Sequence, residues 1–170
     1  MSEAQEQAKV RFLSTLEIAR RELGVLEYSH NKLFSETIDA DWVERLARDM
    51  DAAETLEAFV SRFGRFQDTV GDKLIPRALA ALLERPGSMI DNLTRAERLR
   101  WLENAERWIT ARELRNRLIH EYMTDTIRFA ADIRAAGSFV EMFQTTYANL
   151  LRLAEERYSI KENQLEEYLR

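Results

Sequence analysis

Residues 42–84 read WVERLARDMDAAETLEAFVSRFGRFQDTVGDKLIPRALAALLE, and their rhythm decides the fold class. Val43, Leu46, Met50, Ala53, Leu56, Val60 and Phe63 recur at short helical steps, and Phe66, Val70, Leu74, Ala78 and Ala81 carry the same face onward. An α-helix advances about 100 degrees per residue, so this spacing gathers apolar side chains into one stripe. Asp41 followed by Glu44 has the polar-then-Glu spacing of a capping box at the helix start. The run predicts one long helix over 42–84. Gly64 and Gly71 within it cost about 1 kcal/mol each relative to alanine, and either permit close helix contact or mark a bend. Pro76 is the weak point, because a mid-helix proline removes a donor and crowds the preceding turn. A break before it, with 77–84 as a separate short helix, is the alternative.

Working outward, Phe12, Leu16, Ala19, Leu23 and Leu26 form a second stripe and predict a first helix over 3–28. Residues 30–40 change rhythm and read as a connection, with His30 a cap or surface residue. Arg85-Pro86-Gly87-Ser88 is the clearest punctuation in the chain; Ser88 with Asp91 then starts a short helix over 89–98. Asn104 caps a helix running through Trp108, Leu114 and Leu118 toward His120. Thr124 or Asp125 begins the last long helix, with Ile127, Ala130, Ile133, Val140, Phe143, Tyr147, Leu150 and Ala154 on its inner face and Gly137 a bend. Trp42, Trp101 and Trp108 read as core or interface anchors. No strand alternation persists, and no internal repeat or linker is visible. The expected architecture is an all-α, up-and-down bundle of four major helices plus one short helix, with 1–158 as the domain and 159–170 as a C-terminal tail.

Composition narrows the chemistry. The 170 residues include no cysteine, which excludes disulfide scaffolds, thiolate metal sites and thiol nucleophiles, and 2 histidines, which excludes a three-histidine metal centre within one chain. With 30 acidic against 25 basic side chains the net charge is -5, which argues against a sequence-nonspecific nucleic-acid coat but leaves room for a local basic groove. The opening MSEAQEQAKV has no apolar signal-peptide core and no apolar run approaches a membrane span, so the expectation is a soluble cytoplasmic protein.

The most informative string is Arg112-Glu113-Leu114-Arg115-Asn116-Arg117-Leu118-Ile119-His120-Glu121-Tyr122. Arginine is permanently cationic and its planar fork matches two phosphate oxygens. A histidine near its ordinary pKa of about 6.5 takes or gives a proton at cellular pH. Together they suit phosphodiester cleavage in RNA, where the 2′-hydroxyl supplies the nucleophile and no metal or other cofactor is required. Arg115 and His120 are five apart and thus about 140 degrees apart on a regular helix. They converge if the helix ends at His120, if the long arginine closes the gap, or if a second subunit completes the site. Asn116 shares a face with His120 and can hold its ring. Arg112, Arg115 and Arg117 concentrate positive charge here, and Arg62 and Arg65, three apart, form either a further candidate phosphate-binding pair or a solvated charge face shared with Asp68. The same spacing is also satisfied by a solvated ion-pair network of Arg115 with Glu113, Glu121 or Asp125, and by His120 as a helix-terminal residue favoured by the dipole.

The octet Arg115 to Tyr122 resembles the R-N-x-x-x-H-x-Y signature of HEPN-domain proteins, in particular the HepT-like toxins. The phrase Ser61-Arg62-Phe63-Gly64-Arg65-Phe66-Gln67-Asp68 in the second helix, the short helix after Gly87 and the motif closing the next helix are similar to that layout, over roughly 8–156. The resemblance implies a homodimeric, metal-independent endoribonuclease toxin of a type II or type VII toxin–antitoxin pair. It also implies an MntA-like minimal nucleotidyltransferase as the antitoxin partner. Carried over, the catalytic arginine falls on Arg115 and the histidine on His120, with Asn116 shaping the site. Tyr122 falls where some members are adenylylated by the partner. The alternative carried by the same fold is a non-catalytic nucleotide- or substrate-binding companion of such a nucleotidyltransferase.

Overall fold

The computed structural model describes residues 1–120 and 124–170, with His120 described through its backbone only. Glu121, Tyr122, Met123 and the His120 side chain therefore lie outside the described residues. The described residues form α1 (Glu3–Leu33), α2 (Ala40–Arg45), α3 (Met50–Asp68), a π-helical segment (Thr69–Leu74), α4 (Ile75–Ala81), α5 (Met89–Arg98), α6 (Ala105–His120), α7 (Thr126–Tyr158) and a 3-10 segment (Glu162–Leu169). No strand occurs among them. The chain is all-helical, as its periodicity indicates.

Cross-helix contacts fix the topology. Arg62 meets Ser29, Thr69 meets Glu22 and Arg77 meets Thr15, so the run from α3 to α4 descends alongside α1. Gly64 lies against Arg115 and Gly71 against Trp108, which makes α6 antiparallel to α3. Arg117 meets Asp132 and Asn149 meets the Trp101 carbonyl, so α7 runs back again. Four long directions thus alternate up and down around one core. Phe63, Phe66, Trp108 and Phe143 meet at its centre, each ring about 5 Å from that of Phe143, where tilted aromatic pairs add to area burial.

The long second helix is divided twice, for different reasons. Asp39, not Asp41, caps α2, its side chain accepting from Trp42 N at 2.8 Å. Asp49 then caps α3 through Ala52 N at 3.1 Å. Apolar spacing runs unbroken across 46–50, but a carboxylate offering itself to free amides outcompetes the helical bond there. Met50, expected on the inner face, is instead an exposed first-turn residue. Further on the axis is not broken before Pro76. The π segment widens the turn, the Ile75 amide reaching back to the Val70 carbonyl, and Pro76 sits in the first turn of α4, where proline is tolerated.

Elsewhere the expected boundaries shift modestly. α1 continues through His30 to Leu33, which is buried, so the expected connection at 30–40 begins later than its composition suggests. Ser88 caps α5 and Asn104 caps α6, Arg107 N lying 3.1 Å from Asn104 Oδ1. Asp125 caps α7. Ile127 is 73% exposed and does not belong to the inner face of α7, whereas Ala130, Ile133, Val140, Phe143, Tyr147, Leu150 and Ala154 are buried. Gly137 accepts the Phe34 ring, which a Cβ would strike. All three tryptophans are core anchors. Residues 159–170, read as a tail, carry the 3-10 segment that packs along α1 and buries Leu165 completely. No helix among the described residues is long and apolar enough to cross a membrane.

Candidate functional site

The inner face of α6 is Trp108, Ala111, Leu114 and Leu118, all buried. Arg115 follows Leu114 by about 100 degrees and so emerges at the edge of that face, toward α3. There Gly64 gives it room: a Cβ at that position would lie 2.8 Å from Arg115 Nε. The guanidinium is then aligned by Asp68, one turn beyond Gly64, with Nη2–Oδ2 at 3.1 Å and Nη1–Oδ1 at 3.4 Å. Buried Nε has no hydrogen-bond partner, so seating the arginine this deeply costs about 1–3 kcal/mol that the Asp68 pair offsets. Of the partners considered from spacing alone, Asp125 is occupied as the α7 cap. Asp68, distant in sequence, is the ion-pair partner.

Arg115 stands where two depressions meet. One is a largely apolar groove of about 440 Å3, bounded by Leu56, Val60, Leu118, Ile119 and Phe129. The other is a polar pocket of about 430 Å3 containing Glu22, Arg65, Thr69 and Lys73. Ser61 borders both, on the α3 side. Asn116 is exposed one residue beyond Arg115.

The other cations named from the sequence do not converge on this point. Arg117 projects to the far side of α6 and bonds Asp132 on α7 through two nitrogens, at 3.3 and 3.2 Å. Arg112 pairs with Asp72 at 3.3 Å and touches the Met89 sulfur. Each of Arg112, Arg115 and Arg117 thus faces its own carboxylate, and the concentration of positive charge expected from their spacing is locally neutralised. Arg62 and Arg65 are also separated: Arg62 donates to the Val25 carbonyl and to Ser29 Oγ at 2.7 Å, tying α3 to α1, while Arg65 enters the polar pocket. The His120 side chain and Tyr122 lie outside the described residues. Among the described residues no three carboxylates or histidines gather closely enough to hold a metal ion.

Sequence reasoning allowed close helix contact at Gly64 without naming Arg115 as what it admits, and passed over Asp68 as the partner of Arg115, and Glu22. Burial pushes the Glu22 carboxyl above its ordinary value, opposed by a hydrogen bond from Thr69 and by the charges of Arg65 and Lys73, and assisted by Asp68. One signal was available. On a helical wheel Glu22 lies about 40 degrees beyond Leu26, at the rim of the apolar stripe of α1. A carboxylate there is half-buried by construction.

Comparison with protein-family models, with curated proteins and with solved structures gives no match for this chain.

Proposed function

We propose that the chain is a metal-independent endoribonuclease of the HepT-like toxin type, with Arg115 holding the scissile phosphate and His120 transferring protons. The observation that carries the reading is the placement of Arg115. It is seated against Gly64, oriented by Asp68 and only partly exposed, at the junction of two depressions on the helix that leads into His120. A guanidinium fixed in this way loses little freedom when an anion arrives. In the proposed reaction the 2′-oxygen attacks the adjacent phosphorus and the P–O5′ bond breaks. The 2′-hydroxyl proton passes to a base, and the departing 5′-oxygen takes up a proton. The products are a 2′,3′-cyclic phosphate and a free 5′-hydroxyl. Arg115 offsets the charge that grows on the phosphoryl oxygens, and His120, with its counterpart in a homodimer, serves the two proton transfers.

The proposed setting is a cytoplasmic pair with an MntA-like nucleotidyltransferase, which silences the toxin by adding AMP to Tyr122 and so sets a bulky anion beside the motif. The test is cleavage of RNA by the partner-free protein in excess chelator, compared with His120→Ala. The expected loss is about 100-fold or more. Equal cleavage by both proteins, or none by the unmodified parent, would end the proposal. Intact mass after coexpression with the partner, with Tyr122→Phe as control, reads the modification separately.

A further inference from the structure

The polar pocket beside Arg115 is built by a ladder. Ser61, Arg65, Thr69 and Lys73 follow one another at steps of four along α3 and the π segment, and all four border the pocket. In a plain α-helix each such step drifts by about 40 degrees. The wider π turn over 69–74 counteracts the drift and keeps Lys73 over Thr69. Glu22 faces this ladder from α1. Its Oε1 accepts from Thr69 Oγ1 at 3.0 Å, while its buried Oε2 has no partner.

Charge in the pocket is unevenly matched. Asp68 is committed to Arg115 and Asp72 to Arg112. The Arg65 and Lys73 side chains make no ion pair or hydrogen bond with any described residue. When the Glu22 carboxyl carries its proton, two cations and one O–H donor face about 430 Å3 of open space, and the two other carboxylates on its border, Asp68 and Asp72, are each paired with an arginine.

We infer that this pocket binds a single phosphoryl group, held by Arg65 and Lys73 and by a hydrogen bond from the Glu22 carboxyl. The ligand class is a phosphate ester, either a free nucleoside monophosphate or one phosphate of a nucleic-acid strand. The site does not require that the chain cleave RNA. Burial already favours the neutral form of Glu22, and an anion beside it favours that form further. Arg65 and Asp68 face Glu22 from α3, Thr69 and Lys73 from the π segment, and Asp72 and Arg115 complete the charged border of the pocket. Binding therefore takes up a proton, and affinity falls as pH rises through the Glu22 pKa.

Sulfate, whose charge is constant across the range, is the first probe, titrated calorimetrically into the intact chain at about pH 5 and about pH 8. Saturable binding is expected, weaker at the higher pH. Glu22→Gln keeps a donor without a titration, so it should bind equally at both and more tightly than the parent at about pH 8. Arg65→Gln with Lys73→Gln should weaken binding about tenfold or more, whereas Arg128→Gln, which removes one charge elsewhere, should not. Should the double variant melt early, the exposed Lys73→Gln alone still lowers affinity. Competition by AMP or by a 2′-O-methyl trinucleotide then tells a free nucleotide from a strand phosphate. The inference is overturned by absence of saturable sulfate binding in both parent and Glu22→Gln, by equal weakening in Arg128→Gln, by an unchanged pH slope in Glu22→Gln, or by competition from neither ligand.

Discussion

Two glutamates five residues apart on α1 meet opposite fates. Glu17 has no exposed surface, yet hydrogen bonds from Arg20 hold its carboxyl below the usual range despite the burial, with Arg21 adding to them. Glu22 retains some exposure and is pushed above that range, chiefly by burial. Depth alone therefore does not set the charge state; the partners do. Around Glu17 both acceptor oxygens are used: Arg20 contacts each of them, at 2.7 and 2.8 Å, and Arg21 adds a bond at 2.9 Å. Nearby Tyr147 donates to Glu162 at 3.0 Å, and burial raises its phenol well above the ordinary value. This face of α1 is a closed clasp for the C-terminal segment, Arg21 also reaching Glu166 at 3.9 Å. The Glu22 face is open, with an unpartnered oxygen and two cations without an ion pair. A closed network stabilises; an open one is where a ligand can add bonds.

The strongest way to break this contrast is Glu17→Ala. Removing one partner of a buried pair typically costs about 3–5 kcal/mol. Arg20 and Arg21, 38% and 53% exposed, can turn to water, which places the expected loss at about 3 kcal/mol or somewhat less. The melting temperature should drop by about 6–12 °C. The acid limb should change as well. A lowered folded pKa gives Glu17 stabilisation that is complete above its unfolded value of 4.5 and lost as pH falls through the folded one, so the variant should lose less stability on acidification than the parent. A melting temperature unchanged within error would mean that the clasp contributes nothing.

Gly64→Ala sharpens the contrast from the open side. Alanine favours the helix by up to about 1 kcal/mol, while its Cβ would dislodge the Arg115 side chain, a flexible arm that can move. Stability should stay within about 1 kcal/mol of the parent. RNA cleavage should fall about tenfold or more, because the guanidinium leaves its seat. The pairing of an early melt with undiminished cleavage would reverse the assignment of roles to the two regions.

How much of this was legible beforehand follows from the physics of each signal. Apolar periodicity is local and strong, so the inner faces of α1 and α3, the caps Ser88 and Asn104, and the core tryptophans can be read directly. The break at 46–49 was hidden because Leu46 and Met50 keep helical spacing across a turn made by the Asp49 side chain. Likewise, the π segment has no compositional mark beyond Gly71 and Pro76. For the site, spacing within α6 identified Arg115 but not its setting. Asp68, Gly64 and Glu22 belong to two other helices, and only packing brings them to it. Spacing also overstated the local positive charge, since it cannot show that Asp72, Asp68 and Asp132 wait opposite Arg112, Arg115 and Arg117.

The smallest expected effect is also the most diagnostic of the open face. A carboxyl whose folded pKa is raised binds more protons in the native state than in the unfolded one between the two pKa values. Stability then falls as pH rises from the unfolded value of 4.5 through the folded value, and stays lower above it. Glu22→Gln removes that dependence while keeping the side chain's shape and its acceptor for Thr69. Parent and variant should therefore melt together in acid and diverge as pH rises, the variant becoming the more stable at alkaline pH. Every other carboxylate is common to the two proteins, so the difference curve isolates this one group. Parallel curves from about pH 5 to about pH 8 would show that Glu22 ionises as freely as an exposed carboxylate, and the distinction from Glu17 would then reduce to hydrogen bonding alone.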